Sequence, residues 1–135
     1  MNREEVATVL EEHGIQPTRQ RMDIASLLFR RDQHVSADQV LEQVSAETTG
    51  VSRATVYNTL KLFVRQGVIR QILMDGERTL YDTNPHDHHH LFNVDTGELM
   101  DIPAGVLKLN DDLGLPEGTE IEGMDVVVRV RSRRH

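Results

Sequence analysis

The 135-residue chain has no cysteine. That absence removes disulfides, thiolate nucleophiles, iron–sulfur clusters and cysteine zinc sites together. A bound metal would have to use histidine, carboxylate, backbone or water. No apolar run approaches the roughly 18 residues of a membrane span, and Met1-Asn2-Arg3-Glu4-Glu5 lacks the basic start and apolar stretch of a signal peptide. A cytoplasmic setting is therefore expected. Internal repeats and low-complexity tracts are missing too. Positive charge is scarce, with 15 Lys/Arg against 22 Asp/Glu and a net charge of −7. Spread evenly, that charge would argue against nucleic acid. It is not even: residues 1–80 carry 10 Lys/Arg and 11 Asp/Glu (net −1), and residues 81–135 carry 5 and 11 (net −6). Phosphate contact depends on the local field, so arginines gathered in the front half can still meet DNA. The acidic back half suits cations.

Four of the seven histidines lie within His86-Asp87-His88-His89-His90, close to Asp82. Imidazole and carboxylate bind borderline divalent metals, and histidine also serves haem and pH sensing. The rest of the chain must say what the ligand controls. Val6, Val9 and Leu10 recur at helical spacing up to His13-Gly14, and Ile24, Leu27 and Leu28 form a second stripe after Pro17-Thr18. Ser36 is a good N-cap for a third helix burying Val40, Leu41 and Val44. A fourth opens at Ser52, buries Val56, Leu60, Phe63 and Val64, and stops at Gly67. The period then changes: Val68–Met74 and Arg78–Tyr81 read as strands joined by the turn Asp75-Gly76. Helices followed by a small hairpin make a winged helix-turn-helix. Beyond Asn84-Pro85, strands are expected at His88–Val94, Leu99–Ile102 and Glu120–Arg131, with an amphipathic stretch at Ala104–Leu113. Leu107, Leu109 and Leu113 are assigned to core or dimer interface.

In a helix-turn-helix the second helix enters the major groove by its N-terminal half. Away from its buried stripe the fourth helix presents Arg53, Thr55, Tyr57, Asn58 and Lys61, types suited to phosphates and base edges. Arg19 and Arg21 could clamp the backbone nearby, and Arg70 and Arg78 could reach phosphate from the strands. The same residues could equally be a solvated helix face.

Gln16-Pro17-Thr18-Arg19-Gln20-Arg21, His34-Val35-Ser36-Ala37-Asp38, Ala54-Thr55-Val56-Tyr57-Asn58-Thr59-Leu60 and Tyr81-Asp82 followed by His-x-His resemble the Fur superfamily, in family order and across the whole chain. Within it, His88-His89-His90, Tyr81-Asp82-Thr83-Asn84 and the basic-tailed ending Asp125-Val126-Val127-Val128-Arg129 are most similar to the iron-response (Irr) type. The resemblance implies an α+β protein, with an N-terminal winged helix-turn-helix DNA-binding domain (residues 1–83), a hinge (84–87) and a C-terminal α/β dimerisation and sensing domain (88–135). It implies a cytoplasmic homodimer that binds a palindromic operator, controls iron-homeostasis genes and performs no catalysis. The implied metal ligands are His34, Asp82, His88, His90 and Asp101, with Fe(II) or Mn(II) as the metal and Zn(II) able to substitute. His88 and His90, two apart on a strand, face the same side and could share an ion. His86, Asp87 and His89 are candidates for a second metal or for haem. Arg21 and the Tyr57 helix would touch DNA. The paired-cysteine structural zinc site of many relatives is absent, with Asn93 and Thr96 standing where the first pair would be. The alternative in the same family is a peroxide-sensing (PerR-like) repressor of oxidative-stress genes. Remote rivals are a zinc metallohydrolase, whose histidine order the run does not match, and a metal-storage protein, which would leave the fourth helix without a role. His13 and His135 are expected to be solvated.

Overall fold

The computed structural model describes residues 1–73, 79–84, 88–107, 113–121, 124 and 126–133. The Asp75-Gly76 turn, Arg78, His86, Asp87, Leu109 and His135 lie outside the described residues. The chain divides into two units, Met1–Pro85 and His86–His135.

The first unit orders its elements as α1 (Arg3–Glu12), α2 (Arg19–Leu28), β1 (His34–Val35), α3 (Ala37–Glu47), α4 (Arg53–Arg65), β2 (Arg70–Leu73) and β3 (Thr79–Asp82). Each helix starts on a residue with extended backbone whose side-chain oxygen takes the amide three residues on: Asn2, Thr18, Ser36 and Ser52. Those amides would otherwise have no partner in the helix, and each cap contributes about 1 kcal/mol. Gly14 and Gly67 end α1 and α4 with φ of 73° and 79°. At both ends the glycine amide and the next one fold back on helix carbonyls, Gly14 to Glu11 with Ile15 to Leu10, and Gly67 to Val64 with Val68 to Phe63. This closure needs the left-handed backbone that glycine adopts freely.

The apolar stripes of the helices meet in one core, with Val6, Leu10, Ile24, Val40, Val44, Val56, Leu60 and Phe63 fully buried. Val35 and Tyr81 bring the small sheet onto it. Leu41 and Val64 pack on the core only partly buried. That sheet runs β1-β3-β2, all antiparallel, with His34 opposite Asp82 and Asp82 opposite Arg70. Sequence periodicity gave no sign of β1, because two residues carry no period. His13, expected in solvent, is half-buried, with Nδ1 2.7 Å from the Val9 carbonyl. Its place on the last turn of α1 lets the ring bond back to the helix.

The second unit contains β4 (His88–Asn93), β5 (Leu99–Pro103), a 3₁₀ turn (Ala104–Val106) and β6 (Val127–Val130). β4 is central, antiparallel to β5 and parallel to β6, with His90 opposite both Asp101 and Val127. The strand expected over Glu120–Arg131 is shorter: Glu120, Ile121, Met124 and Val126 lie outside it. The Val126 carbonyl still accepts the His90 amide at 2.9 Å, but its own N–H donates to His89 Nδ1 at 3.3 Å. A side-chain acceptor has replaced a ladder bond, and regular pairing begins one residue later. The stretch expected to be amphipathic from Ala104 shows only the 3₁₀ turn among its described residues, and Leu113 is half exposed rather than core. No helix among the described residues is long and apolar enough to cross a membrane.

Candidate metal centre and DNA-reading face

The first unit brings His34 and Asp82 together because β1 pairs with the last residue of β3. His34 Nε2 lies 3.6 Å from Asp82 Oδ2. The other oxygen, Oδ1, accepts the Asn84 amide at 2.9 Å, which fixes the carboxylate plane. The segment leading into His34 is pinned as well. Thr83 Oγ1 accepts the Gln33 amide at 3.0 Å and donates to the Arg31 carbonyl at 3.1 Å.

In the second unit, β4 places His88 and His90 on one side, and β5 places Asp101 opposite His90. Asp101 Oδ1 stands 3.4 Å from His88 Nε2 and 3.5 Å from His90 Nε2. The two imidazoles meet edge to face with centroids 4.7 Å apart. Donors about 2.1 Å from an ion at a tetrahedral angle are about 3.4 Å apart, so these separations match the edges of a first coordination shell. Asp82, His88 and His90 are 1%, 4% and 0% exposed. A carboxylate removed from water to this degree needs a strong partner, and a cation or protonated imidazole provides one. With nitrogen and oxygen donors only, the set fits Fe(II), Mn(II) or Zn(II).

His89 faces the other way and has a structural task. Its Nδ1 accepts the Val126 amide, so the neutral ring carries its proton on Nε2 and offers no second lone pair. While that bond stands, His89 is not set up to bind a second metal or haem. His86 and Asp87 lie outside the described residues.

On the fourth helix, Arg53, Asn58 and Lys61 are exposed, and Thr55 and Tyr57 partly so. Sequence reasoning overlooked Asp38, which joins this group. Arg53 Nη1 donates to Asp38 Oδ1 at 2.5 Å, and the Tyr57 hydroxyl donates to the same oxygen at 3.2 Å. The signal was available: Ser36 and Gln39 form a capping box, which leaves Asp38 exposed in the first turn of α3. Arg19 sits 3.9 Å from Asp23, and Arg21 donates to the Gln16 carbonyl at 3.0 Å.

The profile of the family described as "Ferric uptake regulator family" matches residues 12–128. The chain belongs to that family. A peroxide-responsive repressor PerR of Staphylococcus aureus (strain Mu50 / ATCC 700699) is 30% identical over 98 residues, covering 73% of this chain and 66% of the repressor. The match thus spans just under two thirds of that relative. The ferric uptake regulator of Pseudomonas aeruginosa, solved with manganese, superposes with a TM-score of 0.74 at 24% identity, over 94% of this chain and 97% of its own. The peroxide stress regulator of Campylobacter jejuni superposes with a TM-score of 0.64 at 18% identity, over 97% and 96%. At these identities the likeness establishes a shared fold: the Fur-family arrangement of mixed helices and sheets, an N-terminal winged helix followed by a C-terminal α/β unit.

Proposed function

We propose that this chain is a metal-responsive transcriptional repressor that binds operator DNA as a homodimer. The observation that carries this is the pair of nitrogen/oxygen donor sets, one in each unit, with donor separations of 3.4–3.6 Å. Each set is incomplete for a borderline divalent ion, which takes four or more ligands. His34 and Asp82 would supply two, and His88, His90 and Asp101 three, to a single ion. A divalent ion held by both sets would cross-link the DNA-reading unit to the dimerisation unit. Residues 84–87 then act as the hinge whose freedom that cross-link removes. α4 reads the groove with Arg53, Thr55, Tyr57, Asn58 and Lys61, and Arg19 and Arg21 hold the backbone. The homodimer is supported by where apolar surface remains. Apart from Met1, every exposed large hydrophobic side chain among the described residues lies beyond residue 93: Val94, Met100, Val106, Leu113, Leu115, Ile121 and Met124. Exposed apolar side chains confined to one unit in this way are what a dimer interface there would bury.

The finer reading is an iron-response regulator, carried by the resemblance of the His88-His89-His90 run and the chain's ending. A second reading, peroxide sensing, is favoured by the similarity to the Staphylococcus aureus repressor. Cytoplasmic action, Fe(II) or Mn(II) as the native metal, and haem as an effector belong to the same proposal.

The test replaces both His88 and His90 with Ala and titrates Mn(II) and Zn(II) against binding to a duplex selected by the wild-type protein. Loss of the metal response is expected; an unchanged response would sink the site. Parallel samples separate the finer readings. Oxygen addition to a histidine after Fe(II) and hydrogen peroxide supports peroxide sensing, and haem-dependent release from DNA supports the iron-response reading.

A further inference from the structure

One acidic residue stands on the face that α4 would turn to DNA. Asp38 occupies the second helical position of α3, where the capping box of Ser36 and Gln39 fixes the backbone and the helix dipole favours a negative charge. A single carboxylate oxygen, Oδ1, takes bonds from Arg53 and Tyr57. Those two residues are four apart, so they share one face of α4 and are anchored at the same point. The side chains of Asp38 and Arg53 are 67% and 64% exposed. Exposed pairs contribute little to folding, so the pairing with Arg53 adds little to what the helix dipole already gives this carboxylate.

Its electrostatic consequence is larger. Counterion release on phosphate drives sequence-independent DNA binding, and an arginine already matched by a carboxylate adds little to it. Arg53 engages Asp38 through Nη1, and the guanidinium has further donors in a rigid plane. An arginine edge held in one orientation suits the O6 and N7 acceptors of guanine, which need a coplanar partner. Asp38 itself repels phosphate wherever the fit is poor. We propose that Asp38 is a specificity-determining residue: it orients Arg53 and Tyr57 together for base reading and withholds their attraction from the phosphate backbone. The inference rests on α4 being the recognition helix, and it adds how that helix discriminates.

The experiment uses the full-length, Mn(II)-loaded protein. Duplexes are selected from a random library by the wild type, and affinities for a selected and a scrambled duplex are measured across potassium chloride concentrations. Asp38→Asn and Asp38→Ser remove the charge, and Asp38→Glu keeps it; melting curves confirm that each variant folds. With the charge gone, Arg53 is free for one more phosphate, so the salt slope on scrambled DNA steepens by about 0.9 and affinity at 0.15 M salt rises about fivefold. Binding to the selected duplex does not keep pace, and the preference for it falls about tenfold. Asp38→Glu retains the wild-type slope. A folded Asp38→Asn or Asp38→Ser protein with wild-type slope and preference overturns the role of Asp38 while leaving DNA binding intact. A wild-type protein that binds no duplex overturns the functional reading itself, and the role of Asp38 with it.

Discussion

Replacing Thr83 with Val should loosen the first unit and weaken metal binding together. Thr83 is 7% exposed, and its hydroxyl makes two bonds across some fifty residues of sequence, accepting from Gln33 at 3.0 Å and donating to Arg31 at 3.1 Å. Valine keeps the shape and the Thr83 amide bond to the Gln33 carbonyl, 3.1 Å in the wild type, but offers neither hydroxyl bond. One net hydrogen bond contributes about 1 kcal/mol, and a partly buried amide left without an acceptor costs at least about 1 more. The sum is about 2 kcal/mol, or about 8–16 °C in melting temperature for a unit of this size. The same two bonds hold the strand carrying His34 against the strand carrying Asp82. Mn(II) affinity should therefore fall as well, by an amount that Thr83→Ser, which keeps the hydroxyl, largely restores. Urea unfolding followed by circular dichroism reads the stability, and isothermal titration reads the metal. A shift below about 0.5 kcal/mol, within the ordinary range of surface substitutions, would refute the view that this hydroxyl sets the geometry of the pair.

Two further outcomes follow from the second unit. His89→Ala should speed hydrogen exchange at the Val126 amide, which loses its acceptor, and destabilise the unit by about 1–3 kcal/mol. His89→Asn, which places an acceptor near the Nδ1 position, should recover most of both; equal exchange in all three proteins would show that the imidazole does not hold β6. Met100→Glu combined with Val106→Glu puts charge into the exposed apolar surface and should shift sedimentation from dimer to monomer, and an undisturbed dimer would place the interface elsewhere.

The helices of the first unit were legible because each carried two independent signals, a capping side chain and a 3.6-residue apolar period. Ser52 with Val56, Leu60 and Phe63 shows both, and the observed helix begins and ends where they say. β1 was not legible: two residues have no period, and His34–Val35 becomes a strand only because β3 arrives from nearly fifty residues away. The late start of β6 was hidden for a related reason, since at Val126 a histidine side chain takes the place of a strand acceptor. At the site, the alternation of His88 and His90 on a strand was readable from the residues alone. That Asp101 would stand opposite His90 depended on strand register, which hydrophobic alternation specifies only to within two residues. Asp38 was readable but overlooked, because a carboxylate on a face proposed to meet DNA looks out of place until its two donors are seen.

The division of donors between the units is what would make the site a switch. Three donors from β4 and β5 alone could retain a metal, but its presence would then say nothing to α4. With His34 and Asp82 in the first unit, occupancy of a shared site would depend on that unit's position. The chain makes this dependence workable, since five residues separate Asp82 from His88 and limit their Cα atoms to about 20 Å apart. A tether that short keeps one donor set at high effective concentration for the other, so closure costs little entropy. The coupling must also run backwards. If metal raises operator affinity by some factor, operator must raise metal affinity by the same factor, because both are legs of one thermodynamic cycle. A protein whose two donor sets act as one would therefore bind metal more tightly on its operator than free in solution, and removing both His34 and Asp82 should abolish that difference while the three donors of the second unit stay in place.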